Sequence, residues 1–216
     1  MKGGMKIWDI SQTLRPGMPL WPGESDLAIR RNAEIGAQCP VNVGAIDAPL
    51  HAGTHADSPY HYDRQGAASA DCAIDPYLGR CVVVDVRHAR RRVEPKDIDW
   101  AVLTGAERVL FRTYDRFPAD RWDSDFTAIA PEVIARLREG GVRLVGTDAA
   151  SIDPETSKTM DAHHEIQAGD MRILEGLVLD DVPAGAYELI ALPLKIAQAD
   201  ASPVRAILRE IVAIAK

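Results

Sequence analysis

Residues 51–61 constrain this chain more than any other stretch, because they bring three of its six histidines and a carboxylate within eleven positions. The stretch reads His-Ala-Gly-Thr-His-Ala-Asp-Ser-Pro-Tyr-His, and its candidate ligands are His51, His55, Asp57 and His61. Neutral imidazoles and carboxylates are the ligands that borderline divalent cations such as zinc prefer. These groups would be penalised if buried without partners, and a metal ion satisfies them all. The stretch therefore predicts chemistry at a metal.

The backbone of this stretch is expected to be bent. His51 and His55 have the i, i+4 spacing of one helix face, but Gly53 and the prolines at positions 49 and 59 disfavour a long helix. In an extended strand the same two histidines would lie too far apart to share one ion. A segment kinked at Gly53 satisfies both constraints. The zincin pattern His-Glu-x-x-His does not apply, because alanine follows His51.

Composition narrows the class of protein. The 216 residues are enough for a full hydrophobic core, most simply as a single domain over residues 1–216. With 32 acidic against 25 basic residues and one short basic run, residues 87–92, in a predicted loop, we expect no nucleic-acid partner. Three cysteines without a Cys-x-x-Cys pair indicate reduced, mostly buried thiols in a cytoplasmic protein. The chain shows no signal-peptide pattern and no apolar run of membrane-spanning length, so we expect no membrane partner.

β-Branched runs alternate with turn signals, which predicts one α/β domain with a strand-rich core. Four runs are predicted to be strands: residues 80–86, 108–113, 142–147 and 187–192. The clearest helix is predicted over residues 131–139, where Pro131 fits the first helical position and two glycines end the helix. A short helix is predicted over residues 161–167. Residues 204–214 fit either helical or strand spacing.

The run His-x-Gly-Thr-His-x-Asp-x-Pro-x-His, followed by an aromatic residue, resembles the signature of the cyclase-type metal-dependent hydrolases. Within that family the chain is similar to the bacterial arylformamidases, also called kynurenine formamidases. The supporting stretches extend over nearly the whole chain: residues 8–11, 21–23, 77–79, 148, 151–154, 158–163, 173–177 and 189–194. The resemblance implies the swivelling β/β/α fold of the family, which periodicity alone does not indicate, and it favours a strand within residues 204–214.

The resemblance also implies two divalent metal ions per chain, with zinc as the expected metal. The implied metal ligands are His51, His55, Asp57, His163 and Glu175, with Asp57 as a bridge. The family pattern places a histidine twelve positions before the glutamate, which selects His163 over its neighbour His164. Adjacent side chains on a helix point about 100° apart, so one of the two is expected to face the metals. A solvated strand carboxylate is the alternative for Glu175, although its neighbours are apolar.

Two further residues are candidates for the reaction itself. His61 lies outside the implied ligand set and histidine titrates near neutral pH, so we expect it to be the proton shuttle, a role that the resemblance also gives it. The alternative is a third metal ligand in a mononuclear site, since three histidines also make such a site. Trp21 lies in a Trp-Pro-Gly loop and offers an aromatic substrate a flat apolar wall. Packing alone is its alternative role.

The expected activity is hydrolysis of N-formyl-L-kynurenine to L-kynurenine and formate in tryptophan breakdown, because an aryl formamide needs an activated water and a proton for the departing amine. One alternative is an amidohydrolase of the same scaffold that opens a cyclic amide such as isatin, with the same metal ligands and a different pocket. A second alternative is a metal-binding protein of the same fold without turnover. The resemblance further implies a homodimer or larger homo-oligomer.

Overall fold

The computed structural model describes residues 5–211, which are organised around a nine-stranded β-sheet. In chain order, the strands are Ile7–Asp9 (β1), Ala28–Ala33 (β2), Val43–Asp47 (β3), His55–Asp57 (β4), Leu78–Asp85 (β5), Arg92–Val93 (β6), Arg108–Arg112 (β7), Ala128–Ile129 (β8), Leu144–Thr147 (β9), Arg172–Glu175 (β10), Gly185–Ile190 (β11), Ala201–Pro203 (β12) and Ile207–Glu210 (β13). The α-helices are Pro131–Glu139 (α1) and Asp161–Ala168 (α2). Short 3-10 turns, among them Pro59–His61, lie in the connections.

The order of strands in the large sheet is β1-β13-β11-β5-β7-β9-β10-β4-β12. Its central strands β5, β7, β9 and β10 are parallel, and the strands on both sides of them are antiparallel. Strand β4 lies between β10 and β12, in a register that sets His55 opposite Glu175. The other four strands form a β2–β3 hairpin and a β6–β8 pair.

Alternate residues of the central strands enter two different hydrophobic cores. On one face, Val109 and Phe111 of β7 pack against the buried side of α1 and α2. On the other face, Leu110 belongs to a cluster that also contains Leu174 of β10 and Leu208 of β13. Because β10 and β13 lie five places apart in the sheet, this shared cluster requires the sheet to curl. Burial on both faces explains why the middle residues of these strands are apolar, such as Val109, Leu110 and Phe111 of β7.

The two helices follow the sequence signals that predict them. Pro131 occupies the first turn of α1, its apolar stripe is buried, and Gly141 follows the helix at a φ of +83°. Helix α2 covers the predicted short helix and packs beside α1. The predicted α/β class with a strand-rich core is confirmed, and each of the four predicted strands overlaps an observed one. Neither helix within residues 5–211 is long and apolar enough to cross a membrane.

The strand favoured within residues 204–214 is found over Ile207–Glu210, and residues 212–214 lie outside the described part of the chain. Two other expectations need correction. The basic run is not entirely loop, because Arg92 begins β6 and pairs with β8. The cysteines are free but not mostly buried: Cys81 is buried in the strand-rich core, whereas Cys39 and Cys72 are half-buried in connecting segments. The β2–β3 hairpin was not anticipated at all.

Candidate active site

Strand β4 and the turn before it place three of the predicted ligands. His55 and Asp57 are two residues apart and share one face of β4. The preceding turn brings His51 back, so that its Nδ1 lies 3.1 Å from Asp57 Oδ1. Gly53 forms this turn at a φ of +67°, and a Cβ there would lie 2.7 Å from Leu14 Cδ2. The chain is therefore bent at Gly53, where only glycine avoids both strain and collision.

Glu175 reaches the same place from the end of β10. One carboxylate oxygen, Oε2, lies 3.4 Å from Nε2 of the cross-strand residue His55. The other, Oε1, accepts a hydrogen bond of 2.8 Å from the Ile152 backbone N–H. Gly176 follows at a φ of +63°, and a Cβ there would lie 2.6 Å from the Gly53 carbonyl oxygen. Two glycines thus allow the turn before β4 and the end of β10 to approach closely.

Helix α2 supplies His163 and turns its neighbour away. His163 is buried, with Nε2 at 3.4 Å from Asp57 Oδ2 and 3.9 Å from Glu175 Oε1. His164 is exposed, and its Nδ1 lies 3.4 Å from Gln167 Oε1 of the same helix. The structure therefore places His163, and not His164, beside the carboxylates.

Asp153 was given no role by the sequence analysis, yet it holds both α2 and His163. Its carboxylate accepts the backbone N–H groups of Ala162 and His163, each at 3.1 Å, and so caps the first turn of α2. Its Oδ2 also lies 2.6 Å from His163 Nδ1. Burial alone would raise the pKa of Asp153, but hydrogen bonds from His163 and Ala162 lower it below the ordinary value. A carboxylate bound to Nδ1 fixes the ring so that Nε2 faces inward.

We refer to His51, His55, Asp57, His163 and Glu175 as the histidine–carboxylate cluster. Four of its buried atoms have no well-directed hydrogen bond within residues 5–211: His55 Nε2, His163 Nε2 and both Asp57 carboxylate oxygens. Such atoms are strongly penalised unless a cation or proton satisfies them. A set of nitrogen and oxygen donors of this kind suits zinc and similar divalent ions. The cluster thus fits the metal centre that the resemblance implies.

The electrostatics of the cluster also call for positive charge. Burial alone would lower the pKa of His55, but the nearby Asp57 and Glu175 carboxylates outweigh it and raise the pKa to about 10. For His163, burial is likewise outweighed by Asp153 and Asp57, and the pKa is again about 10. The Asp57 and Glu175 carboxylates thus favour positive charge at this place, which either protonated histidines or a bound cation can supply.

The two oxygens of Asp57 face different partners, as expected for a bridging carboxylate. Oδ1 lies near His51 and His55, whereas Oδ2 lies near His163. The tightest groups of ligand atoms, within 4.8 Å of one another, differ from the predicted sets. One group is His55, Asp57 and Glu175, and the other is His51, Asp57 and His61. The second group includes His61, which agrees with its alternative role as a metal ligand.

His61 is the most exposed histidine at the site. Its ring centroid lies 4.4 Å from that of His51 and 5.9 Å from that of His163, and its side chain is 30% exposed. Asp200, another residue that sequence analysis missed, has Oδ2 at 3.6 Å from His61 Nδ1 and 3.2 Å from His51 Nε2. No local pattern connects Asp200 with residues 51–61, because it reaches them from the loop before β12.

A cavity of about 330 Å³ leads to the cluster from outside. We define the cavity mouth as the aromatic and charged residues of its outer loops: Trp21, Phe117, Arg121, Trp122 and Glu155. The ring centroids of Trp21 and Trp122 lie 5.4 Å apart in an edge-to-face contact. Trp21 therefore packs against a neighbour and also lines the cavity, and its contact with a substrate stays a prediction.

Known proteins resemble this chain in sequence and in fold. The family model Cyclase matches residues 8–154. A protein of Sphingopyxis alaskensis named kynurenine formamidase is 65% identical over 206 residues, which cover 95% of this chain and 99% of that relative. A solved structure described as a potential metal-dependent hydrolase with cyclase activity has 29% identity and a TM-score of 0.82, covering 97% of this chain and 100% of that one. An isatin hydrolase bound to the product analogue thioisatinate has a TM-score of 0.83 at 22% identity, covering 96% and 93%, which shows a shared fold alone.

Proposed function

Because the chain belongs to the Cyclase family and is a hydrolase of that family, we propose that it hydrolyses N-formyl-L-kynurenine to L-kynurenine and formate in tryptophan degradation. The relative at 65% identity supports the substrate, and the predicted family resemblance is confirmed. The observation that carries the proposal is the histidine–carboxylate cluster at the inner end of a cavity with indole walls. We further propose that residues 1–216 act as a single domain.

The cluster is proposed to hold two divalent ions, most simply Zn²⁺. His51, His55 and Asp57 would hold one ion, while Asp57, His163 and Glu175 would hold the other. When bound, such ions lower the pKa of a water molecule towards about 7 and polarise a carbonyl oxygen. The separate positions of the two Asp57 oxygens support this division.

His61 is proposed to move the proton. It takes a proton from the water that attacks the formyl carbon, and it returns that proton to the anilino nitrogen as the C–N bond breaks. Its position on the cavity wall supports this role. Asp200 lies on the Nδ1 side of the ring, so Nε2 is the nitrogen directed to the substrate. Trp21 and Trp122 are proposed to contact the aryl ring.

Formate release tests this function. The purified protein should release formate from N-formyl-L-kynurenine far faster than from formanilide, and it should not open isatin. Preferential opening of isatin would identify the protein as a cyclic-amide hydrolase. Hydrolysis of none of the three compounds, measured as formate release from the two formamides and as ring opening of isatin, by protein loaded with zinc, would support the metal-binding alternative.

Metal analysis tests the binuclear site. We expect about two equivalents of zinc per chain after reconstitution, and loss of turnover after chelation. A content that stays at one equivalent in excess zinc would contradict Asp57 as a bridge and Glu175 as a ligand of a second ion. The mononuclear site with His61 as a ligand would then be the better description.

A homodimer is proposed as the assembly. The β2–β3 hairpin is a separate two-stranded sheet, a structure that is marginally stable without further packing. Ile29 and Ile46 are paired across it, and they are 50% and 57% exposed. Ile46→Lys should therefore shift the mass measured by light scattering from dimer to monomer, whereas Lys96→Glu, an exposed change elsewhere, should not.

The free cysteines support a reducing, cytoplasmic location.

A further inference from the structure

The cavity mouth contains a guanidinium group without a carboxylate partner. Among the described residues that line the cavity, Arg121 is the one lysine or arginine. Its side chain is exposed and makes no ion pair or hydrogen bond within residues 5–211. A guanidinium presents a planar set of donors that matches a carboxylate in bidentate geometry. Arg121 is therefore available to an anionic group that enters the cavity.

The loop that carries Arg121, residues 113–127, is fixed at several points. Arg15 forms an ion pair of 2.5 Å with Asp120, the residue before Arg121. The indole Nε1 of Trp122, the residue after it, donates a hydrogen bond of 2.8 Å to Glu155 Oε2. Trp122 also packs against Trp21. Because both neighbours are held, Arg121 is presented at the mouth without the entropic cost of ordering the loop.

Glu155 is a negative charge at the same mouth that a hydrogen bond fixes in place, whereas Glu24, which also lines the cavity, is exposed. Trp122 holds Oε2, whereas Oε1 has no hydrogen bond within residues 5–211. Asp123 also lines the cavity, but both of its oxygens are occupied, by the Tyr114 hydroxyl and the Asp125 backbone N–H. Glu155 is half-buried and positioned by its indole partner, so it offers one free oxygen to a cation.

We propose that Arg121 binds the α-carboxylate and Glu155 the α-ammonium group of an aryl formamide that carries an amino acid arm. This inference rests on the proposed function, since it takes the formamide group to lie at the histidine–carboxylate cluster. The aryl ring then lies against the two indoles, which contact each other edge to face, and its zwitterionic arm extends outward to the mouth. Selection of the free amino acid thus depends on one cation and one anion on two connected loops.

Three substrates separate these contacts. N-formyl-L-kynurenine carries both charges, 4-(2-formamidophenyl)-4-oxobutanoate carries the carboxylate alone, and 2′-formamidoacetophenone carries neither. Arg121→Gln should raise KM about tenfold for the first two and leave the third unchanged. Glu155→Gln, which keeps an oxygen for the Trp122 indole, should raise KM for N-formyl-L-kynurenine alone. Arg116→Gln removes an exposed arginine of the same loop outside the cavity lining and should change none of the three.

Calorimetric titration with L-kynurenine gives a second measurement that does not depend on turnover. Its Kd should rise about tenfold in Arg121→Gln and stay constant in Arg116→Gln. Equal KM changes for all three formamides, or a Kd of L-kynurenine that Arg121→Gln leaves unchanged, would overturn the proposal. If the parent protein hydrolyses none of the formamides, the proposed function fails, and an L-kynurenine Kd that depends on Arg121 still supports the binding site.

Discussion

The histidine–carboxylate cluster and the cavity mouth are built in opposite ways. His55, Asp57, His163 and Glu175 are 1–3% exposed and come from two paired strands and one helix. Trp21, by contrast, is 36% exposed, and the other residues of the mouth come from connecting loops. Strands and a helix thus hold these four proposed metal ligands, whereas loops hold the groups that are proposed to contact the rest of the substrate. Substitutions in the cluster should therefore change the reaction, and those at the mouth should change the choice of substrate.

The two regions also differ in how their charges are balanced. In the cluster, three histidines surround two buried carboxylates, and Asp153 contacts the Nδ1 atom of His163. Each charge there depends on its neighbours, because His55, Asp57, His163 and Glu175 are almost entirely buried. At the mouth, Arg121 and Glu155 are open to solvent and are held by single contacts or by none. Loss of one group in the cluster should accordingly cost far more than loss of one at the mouth.

The largest effect is expected for His163→Ala. The variant should lose about one metal equivalent, and turnover should fall by about 10⁴-fold or more, because the second ion and its contribution to the reaction are both lost. His164→Ala is the matched control, since it removes the adjacent, exposed imidazole. Metal analysis and formate release measure both variants. Metal loss in His164→Ala with a normal content in His163→Ala would reverse the assignment.

His61→Ala should have the next largest effect. Removal of a general acid and base typically costs about 10²–10⁴-fold in kcat, so turnover should fall in that range while metal content stays unchanged. His88→Ala, at a histidine with a 61% exposed side chain, serves as the control and should be neutral. If His61→Ala loses metal as readily as His51→Ala, then His61 is a metal ligand and belongs to the histidine–carboxylate cluster.

Asp153→Asn tests whether the contact between Asp153 and His163 contributes to metal affinity. The substitution can keep an oxygen for the Ala162 N–H, but it replaces Oδ2, which contacts both the N–H and Nδ1 of His163, with an amide NH2 group. Outer partners of this kind typically contribute about 10–100-fold in metal affinity, so competition with a chelator should show a loss in that range. Asp161→Asn removes an exposed carboxylate from the first turn of the same helix and should leave metal affinity unchanged. Equal affinities of Asp153→Asn and the parent would limit Asp153 to capping the helix.

The same contrast explains what the sequence could predict. Three cluster residues lie within residues 51–57 and form a local pattern, whereas His163 and Glu175 were predicted because the family resemblance places a histidine twelve positions before a glutamate. Local patterns of this kind can be recognised from the amino-acid sequence alone. Asp153 lies in a recognised stretch, but its role depends on the distance to His163, which only the fold sets. Asp200 reaches the site through the curled sheet and has no local signal.

The cavity mouth was less accessible to prediction for the same physical reason. Trp21, Trp122 and Glu155 come from three loops that are far apart in the sequence, and no periodicity relates one loop to another. Trp21 was predicted to contact the substrate partly because of the family resemblance. Trp122 was identified only from its contacts with Trp21 and Glu155 in the structure. The exposed β2–β3 hairpin likewise packs on neither core, so burial left no clear pattern in its sequence.

Trp21→Ala should have the smallest effect and tests the mouth directly. Loss of one aromatic wall should raise KM for N-formyl-L-kynurenine about threefold to tenfold, with little change in kcat and none in metal content. Trp21→Phe keeps an aromatic face and should restore most of the affinity, which separates contact with the substrate from general disorder of the loop. The thermal unfolding midpoint should change little, because Trp21 is 36% exposed and its aromatic contacts within residues 5–211 are with Trp122 and Phe126. An unchanged KM in Trp21→Ala would limit this residue to packing, and a loss of metal would show that the mouth and the cluster are coupled after all.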